Sequence, residues 1–110
     1  GELVGMFHKH MDDAQGALLN PAGLTQYGVS LHDAIKAMPF PVIEVHMSNI
    51  AAREEWRHVS VLSDACVATI AETSAISPAT MHSASMAWPP AMVMVLAPVG
   101  PMTRMLSLRW

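Results

Sequence analysis

The chain has 110 residues, enough for one domain with a real core, and its 52% hydrophobic content against 14% charged content argues against disorder. A net charge of -3, with no basic stripe and no interleaved aromatics, argues against nucleic acid as a partner. The longest apolar run, residues 91–99, is far too short to span a bilayer, so no membrane partner is expected.

Taken in order, Leu3, Val4, Phe7 and Met11 fall at helical spacing, with Glu2, His8, Lys9 and His10 elsewhere around the turn, and predict a helix. His8 and His10 lie two apart and share no helix face, and no zinc-type spacing occurs elsewhere. Asp12 to Gly16 reads as a loop. Ala17-Leu18-Leu19 is a short apolar run that ends at the turn signal Asn20-Pro21, so it reads as a strand with a polar end. Leu24, Tyr27, Leu31, Ala34, Ile35 and Met38 form the stripe of an amphipathic helix. Thr25 or Ser30 caps that helix, Pro39 stops it, and Gly28 obscures where it starts.

Pro41-Val42-Ile43 begins the next strand, which turns polar at Glu44, His46, Ser48 and Asn49. Strand period puts Glu44 and His46 on one face. Strand, helix and strand over this length make a βαβ unit with a parallel pair, so Asn20 and the Glu44/His46 pair finish at the same sheet edge. Ligands of open α/β sheets bind beyond that edge. A charged cluster follows at Arg53, Glu54, Glu55, Arg57 and His58, and then residues 67–70 suggest a third parallel strand. The lone Cys66 makes no internal disulfide, fits a reducing cytoplasmic compartment, and lies in the apolar run DACVATI as a buried, inert thiol. Residues 71–99 are rich in proline and methionine and show neither helical nor strand period. Met102 to Trp110 reads as a closing helix.

The stretches NPAGLTQYGVSLHDAI and PFPVIEVHMSNIAAREEWRHVSVLSD resemble the type II 3-dehydroquinate dehydratases. Their pattern is NPGA-LTHxS-x-x-LRDA followed by EVHxSN-x-x-ARExFR-x-xS. GELVG resembles the family's EGELV helix, and MLSLRW its terminal LxALR segment. The likeness divides one partial domain into a dehydroquinase-like core at 1–70, an unmatched segment at 71–99 and a family-like C-terminal helix at 100–110.

The resemblance implies an α/β fold, a flavodoxin-like parallel sheet flanked by helices, assembled as a trimer-based homododecamer. It implies reversible anti elimination of water from 3-dehydroquinate to 3-dehydroshikimate through an enolate, in the shikimate or quinate pathway, with no metal or other cofactor. His46 matches the general acid, and Glu44 orients it. Asn20 matches the residue that binds substrate and positions the water stabilising the enolate oxygen. Gln26 stands at a substrate-binding position where the family has histidine, and Ala51 also replaces a usual histidine. Met47 and Ser48 match the pair that holds the substrate carboxylate, Arg57 matches a substrate-binding guanidinium, and Asp33 a carboxylate that reaches substrate across a subunit boundary.

The family's leading strand, its GPNLNxLGxR segment and the lid bearing a catalytic tyrosine find no match in these residues, and Tyr27 is not that tyrosine. On the resemblance the chain is an N-terminally truncated dehydratase with an unpaired edge in its parallel sheet and weak or no activity alone. The alternative is a catalytically dead remnant that serves only as an oligomerising or ligand-binding module.

Overall fold

The computed structural model describes residues 1–72 together with the backbone of two strands at 92–99 and 102–109. The elements run α1 (Glu2–Lys9), β1 (Gly16–Asn20), α2 (Val29–Lys36), β2 (Val42–His46), β3 (Ala68–Ala71), β4 (Met92–Val99) and β5 (Met102–Arg109). They build a five-stranded sheet in the order β3-β2-β1-β4-β5.

The centre of the sheet follows from strand chemistry. Leu18-Leu19 and Val42-Ile43 are short apolar runs, and β1 pairs with β2 in parallel, Ala17 beside Val42 and Leu19 beside Glu44. β2 pairs with β3 in parallel, Glu44 beside Thr69 and His46 beside Ala71. The two expected parallel pairings are therefore present, and the α/β class with three parallel strands and accompanying helices holds. The free edge of β1, expected to lie open, is instead taken by β4 in antiparallel register, Leu18 beside Met94. β5 then pairs antiparallel with β4. Met102 to Arg109 is thus a strand and not the expected closing helix. β4 and β5 form a tight hairpin, Val99 beside Met102 and Leu96 beside Met105, and this strand pairing overrides the local helical pattern. The rest of the proline- and methionine-rich segment, 73–91, lies outside the described residues.

Side chains alternate along each strand, and parallel partners share a face. Ala17, Leu19 and Val42 therefore point together, and they join Leu3 and Phe7 of α1, Leu31 and Ile35 of α2, Phe40 and Leu62 in one core. Phe7 and Phe40 stack with ring centroids 6.4 Å apart. The amphipathic stripe of α2 is as expected at Leu31, Ala34 and Ile35, but the helix starts later than its apolar pattern. Residues Ala22–Gln26 form a separate 3-10 turn, and Tyr27 is exposed rather than part of the stripe.

Neither Thr25 nor Ser30 caps α2. Gly28 occupies the N-cap position, and the Thr25 hydroxyl donates to the Ala22 carbonyl instead. A Cβ on Gly28 would sit 2.7 Å from the Leu24 carbonyl oxygen, so the close pass between turn and helix needs glycine there. No helix among the described residues is long and apolar enough to cross a membrane.

Candidate active site

The carboxyl ends of β1 and β2 lie side by side, so Asn20 and His46 reach the same edge of the sheet. Alternation still separates them: Asn20 continues the face of Leu18, whereas Glu44 and His46 continue the core face of Val42. Asn20 Oδ1 turns back to accept from the Ala22 N–H at 3.2 Å, an Asx-type turn that fixes the chain after β1.

On the core face the row Val42–Glu44–His46 is buried throughout, and Glu44 is 0% exposed. A carboxylate so deep needs donors. His46 Nε2 lies 2.8 Å from Glu44 Oε1, and the Ser60 hydroxyl donates to the same oxygen at 2.7 Å. The Ser63 hydroxyl donates to Oε2 at 3.0 Å, with Thr69 Oγ1 at 3.5 Å as a weaker fourth contact. Burial pushes the Glu44 carboxyl up, but the His46 and Ser60 hydrogen bonds, the imidazole's charge and Ser63 together hold it below its ordinary range. The arrangement is a carboxylate that fixes the orientation of an imidazole, the geometry a proton-transferring histidine needs. Ser60, Ser63 and Thr69 carry no helical or strand period that marks them as its partners. Ser60 alone had a signal, as the final serine of the EVHxSN…ARExFR-x-xS pattern.

Beyond β2 the chain continues through Met47, which is exposed, and Ser48, which is half-buried, directly off the end that carries His46. Two 3-10 turns follow at Ile50–Ala52 and Glu55–Arg57. The Arg57 guanidinium lies 4.1 Å over the Trp56 ring, and its Nε is 2.8 Å from Glu54 Oε2 without hydrogen-bond alignment. Glu54 titrates low, first through its own backbone N–H and then through Arg57 and Arg53.

The Gln26 amide donates to the Arg57 carbonyl at 3.3 Å, which ties the 3-10 turn after β1 to the Arg57 turn; its Oε1 is buried and meets no donor. The Val61 N–H donates to the Thr25 carbonyl at 2.9 Å, closing the same seam. Asp33 is exposed on α2 and sits 3.1 Å from His32 Nδ1, with no bond that joins it to Glu44 or His46. The structure thus gathers Glu44, His46, Met47 and Ser48 at one strand end, links Gln26 with Arg57, places Asn20 beside them at the edge, and sets Asp33 apart.

In open α/β sheets ligands bind beyond the carboxyl ends of the strands, the edge at which this buried carboxylate–imidazole pair lies. The family model for dehydroquinase class II matches residues 1–86. The chain belongs to the class II dehydroquinase family. It is 49% identical over 71 residues to a 3-dehydroquinate dehydratase of Caldicellulosiruptor saccharolyticus, covering 64% of this chain and 49% of that protein. It is 49% identical over 63 residues to a 3-dehydroquinate dehydratase of Herpetosiphon aurantiacus, covering 57% and 44%. Among solved structures, the type II dehydroquinase of Propionibacterium acnes superposes with a TM-score of 0.62 at 42% identity, covering 66% of this chain and 54% of that one. That of Butyrivibrio crossotus gives 0.64 at 27% identity, covering 78% and 59%. The chain spans about half the length of the curated relatives it matches.

Proposed function

We propose that this chain carries the acid side of a 3-dehydroquinate dehydratase site, acting in the reversible loss of water that gives 3-dehydroshikimate. The observation that carries the proposal is the buried Glu44–His46 contact of 2.8 Å at the carboxyl end of β2. In this chemistry a base takes the proton next to the ketone, the electron pair forms an enolate, and the departing hydroxyl leaves as water once an acid has protonated it. Glu44 holds His46 through Nε2, so Nδ1 is the nitrogen that hands over the proton. Asn20 steadies the water at the enolate oxygen, the Met47 and Ser48 N–H groups with the Ser48 hydroxyl take the substrate carboxylate, and Arg57 and Gln26 complete the grip. Asp33, exposed on α2, suits a role toward a second copy in a homo-oligomer, and a cytoplasmic location fits the lone thiol.

Calorimetry with 3-dehydroquinate and the full chain tests the proposal. Binding that weakens about tenfold in Arg57→Ala, the loss of one charge-assisted contact, is the expected result. No heat of binding with the unaltered chain would overturn it.

A further inference from the structure

Glu44 lies in the row of side chains that enters the core, beside Leu19 on β1 and Thr69 on β3. Charged groups in such a place are rare and need several donors at once. Its own strand supplies one donor, the His46 ring. The others come from the segment between residues 57 and 69, which no periodicity ties to β2. Ser60 does double service: its Oγ donates to Glu44 Oε1 at 2.7 Å and accepts from the Leu62 N–H at 3.1 Å. Leu62 is fully buried in the core, so the Ser60 hydroxyl is anchored by packing and is not a free rotor. Ser63 takes the opposite oxygen at 3.0 Å. The segment is also tied to the 3-10 turn after β1 through Val61 to Thr25 and Gln26 to Arg57. One short stretch therefore holds both the Arg57 backbone and the two hydroxyls that grip the Glu44 carboxylate.

We infer that Ser60 and Ser63 are positioning residues that keep Glu44 a carboxylate with Oε1 aimed at His46 Nε2. The inference rests on the reading of His46 as the acid, and neither serine touches substrate. With three donors in place, the carboxylate is confined to one rotamer, and the imidazole it faces is confined with it. Without the hydroxyls, a buried charge keeps the imidazole as its one short partner, and burial then favours the neutral acid. The ionisable groups that meet Glu44 are His46 on its own strand and Cys66 from the following segment, whose thiol senses the carboxylate's charge.

The test follows the Glu44 side-chain carboxyl carbon by NMR across an acid titration of the full chain labelled in glutamate. The comparison is with Ser60→Ala/Ser63→Ala and with Ser60→Thr/Ser63→Thr. The expected result is an upward shift of the Glu44 midpoint in the double-alanine chain and its return toward the starting value in the double-threonine chain, which keeps the hydroxyls. Amide dispersion reports folding throughout. If the double-alanine chain does not fold, Ser63→Ala alone decides by the same reading, since its hydroxyl has no backbone anchor in Leu62. A folded alanine variant whose Glu44 midpoint does not move overturns the inference, as does an upward shift that threonine leaves in place. The titration needs neither substrate nor turnover. A failed binding experiment with 3-dehydroquinate therefore leaves this result standing, and a failure here leaves the dehydratase reading standing.

Discussion

Replacing Glu44 by glutamine keeps the side chain's shape, removes its charge and turns one acceptor oxygen into an NH2 donor. The carboxylate takes three short contacts, from His46 at 2.8 Å, Ser60 at 2.7 Å and Ser63 at 3.0 Å. A charge-assisted hydrogen bond exceeds a neutral one by about 1 kcal/mol, so three of them represent about 3 kcal/mol. A neutral amide escapes part of the cost of burying a charge, and the two serine hydroxyls and the imidazole can re-orient to suit it. The net expected loss for Glu44→Gln near pH 7 is therefore about 1–2 kcal/mol.

The pH dependence gives the sign. The Glu44 carboxyl titrates lower in the folded chain than in the unfolded one, where a glutamate sits at about 4.3. Its contribution is complete above that unfolded value and disappears as pH falls through the lower, folded midpoint. Urea unfolding followed by circular dichroism, at steps from about pH 7 to about pH 3, should show the gap between the two chains narrowing toward acid. A gap that stays constant with pH, or a glutamine chain more stable than the parent at neutral pH, refutes the reasoning.

Other expectations follow from the core and from the remaining titrating groups. Leu19 is 0% exposed on a strand paired on both sides, so Leu19→Ala should cost about 2–5 kcal/mol in urea unfolding. His32 bonds Asp33 and Asp64, which raise its pKa in the folded chain. The stabilisation it brings is then full below the unfolded value of about 6.5 and is lost as pH rises through the raised folded midpoint. His32→Gln should consequently destabilise the chain at about pH 5.5 more than at about pH 9, measured by the same unfolding curves. Burial, with the charges of Glu44 and Asp64, pushes the Cys66 thiol up to about 11. Alkylation by iodoacetamide at neutral pH should be far slower than for a free thiol, and fast labelling in the folded chain would contradict that placement.

The strands that carry the site were legible because they are short apolar runs with polar ends. Residues 17–19 and 42–43 read as strands because they are short apolar runs that end in polar or turn residues, and the helix between them implied a parallel pair. The turn after β1 was less legible, since Leu24 and Tyr27 fit a helical stripe that in the structure begins only at Val29. Gly28 was the clue: its close pass over the Leu24 carbonyl separates a 3-10 turn from the helix proper. The last strand was misread as a helix because Met105, Leu106 and Leu108 are compatible with either period, and only the partner β4 decides. At the site, the Glu44–His46 pair was legible from a spacing of two, a local property of a strand. The donors that hold it were not, because Ser60, Ser63 and Thr69 reach Glu44 from 16, 19 and 25 positions away. Asn20 was placed at the correct edge, but its opposite face follows only from the register of β1 against β2.

The antiparallel partner of β1 has a consequence for synthesis. Ala17 finds Val42 soon after it is made, but its other neighbour is Val95. A nascent chain on the ribosome thus carries a half-finished β1, open along one side, while many further codons are read. Sheet closure waits for β4 to emerge, so the antiparallel half of the fold assembles only after most of the chain has been made.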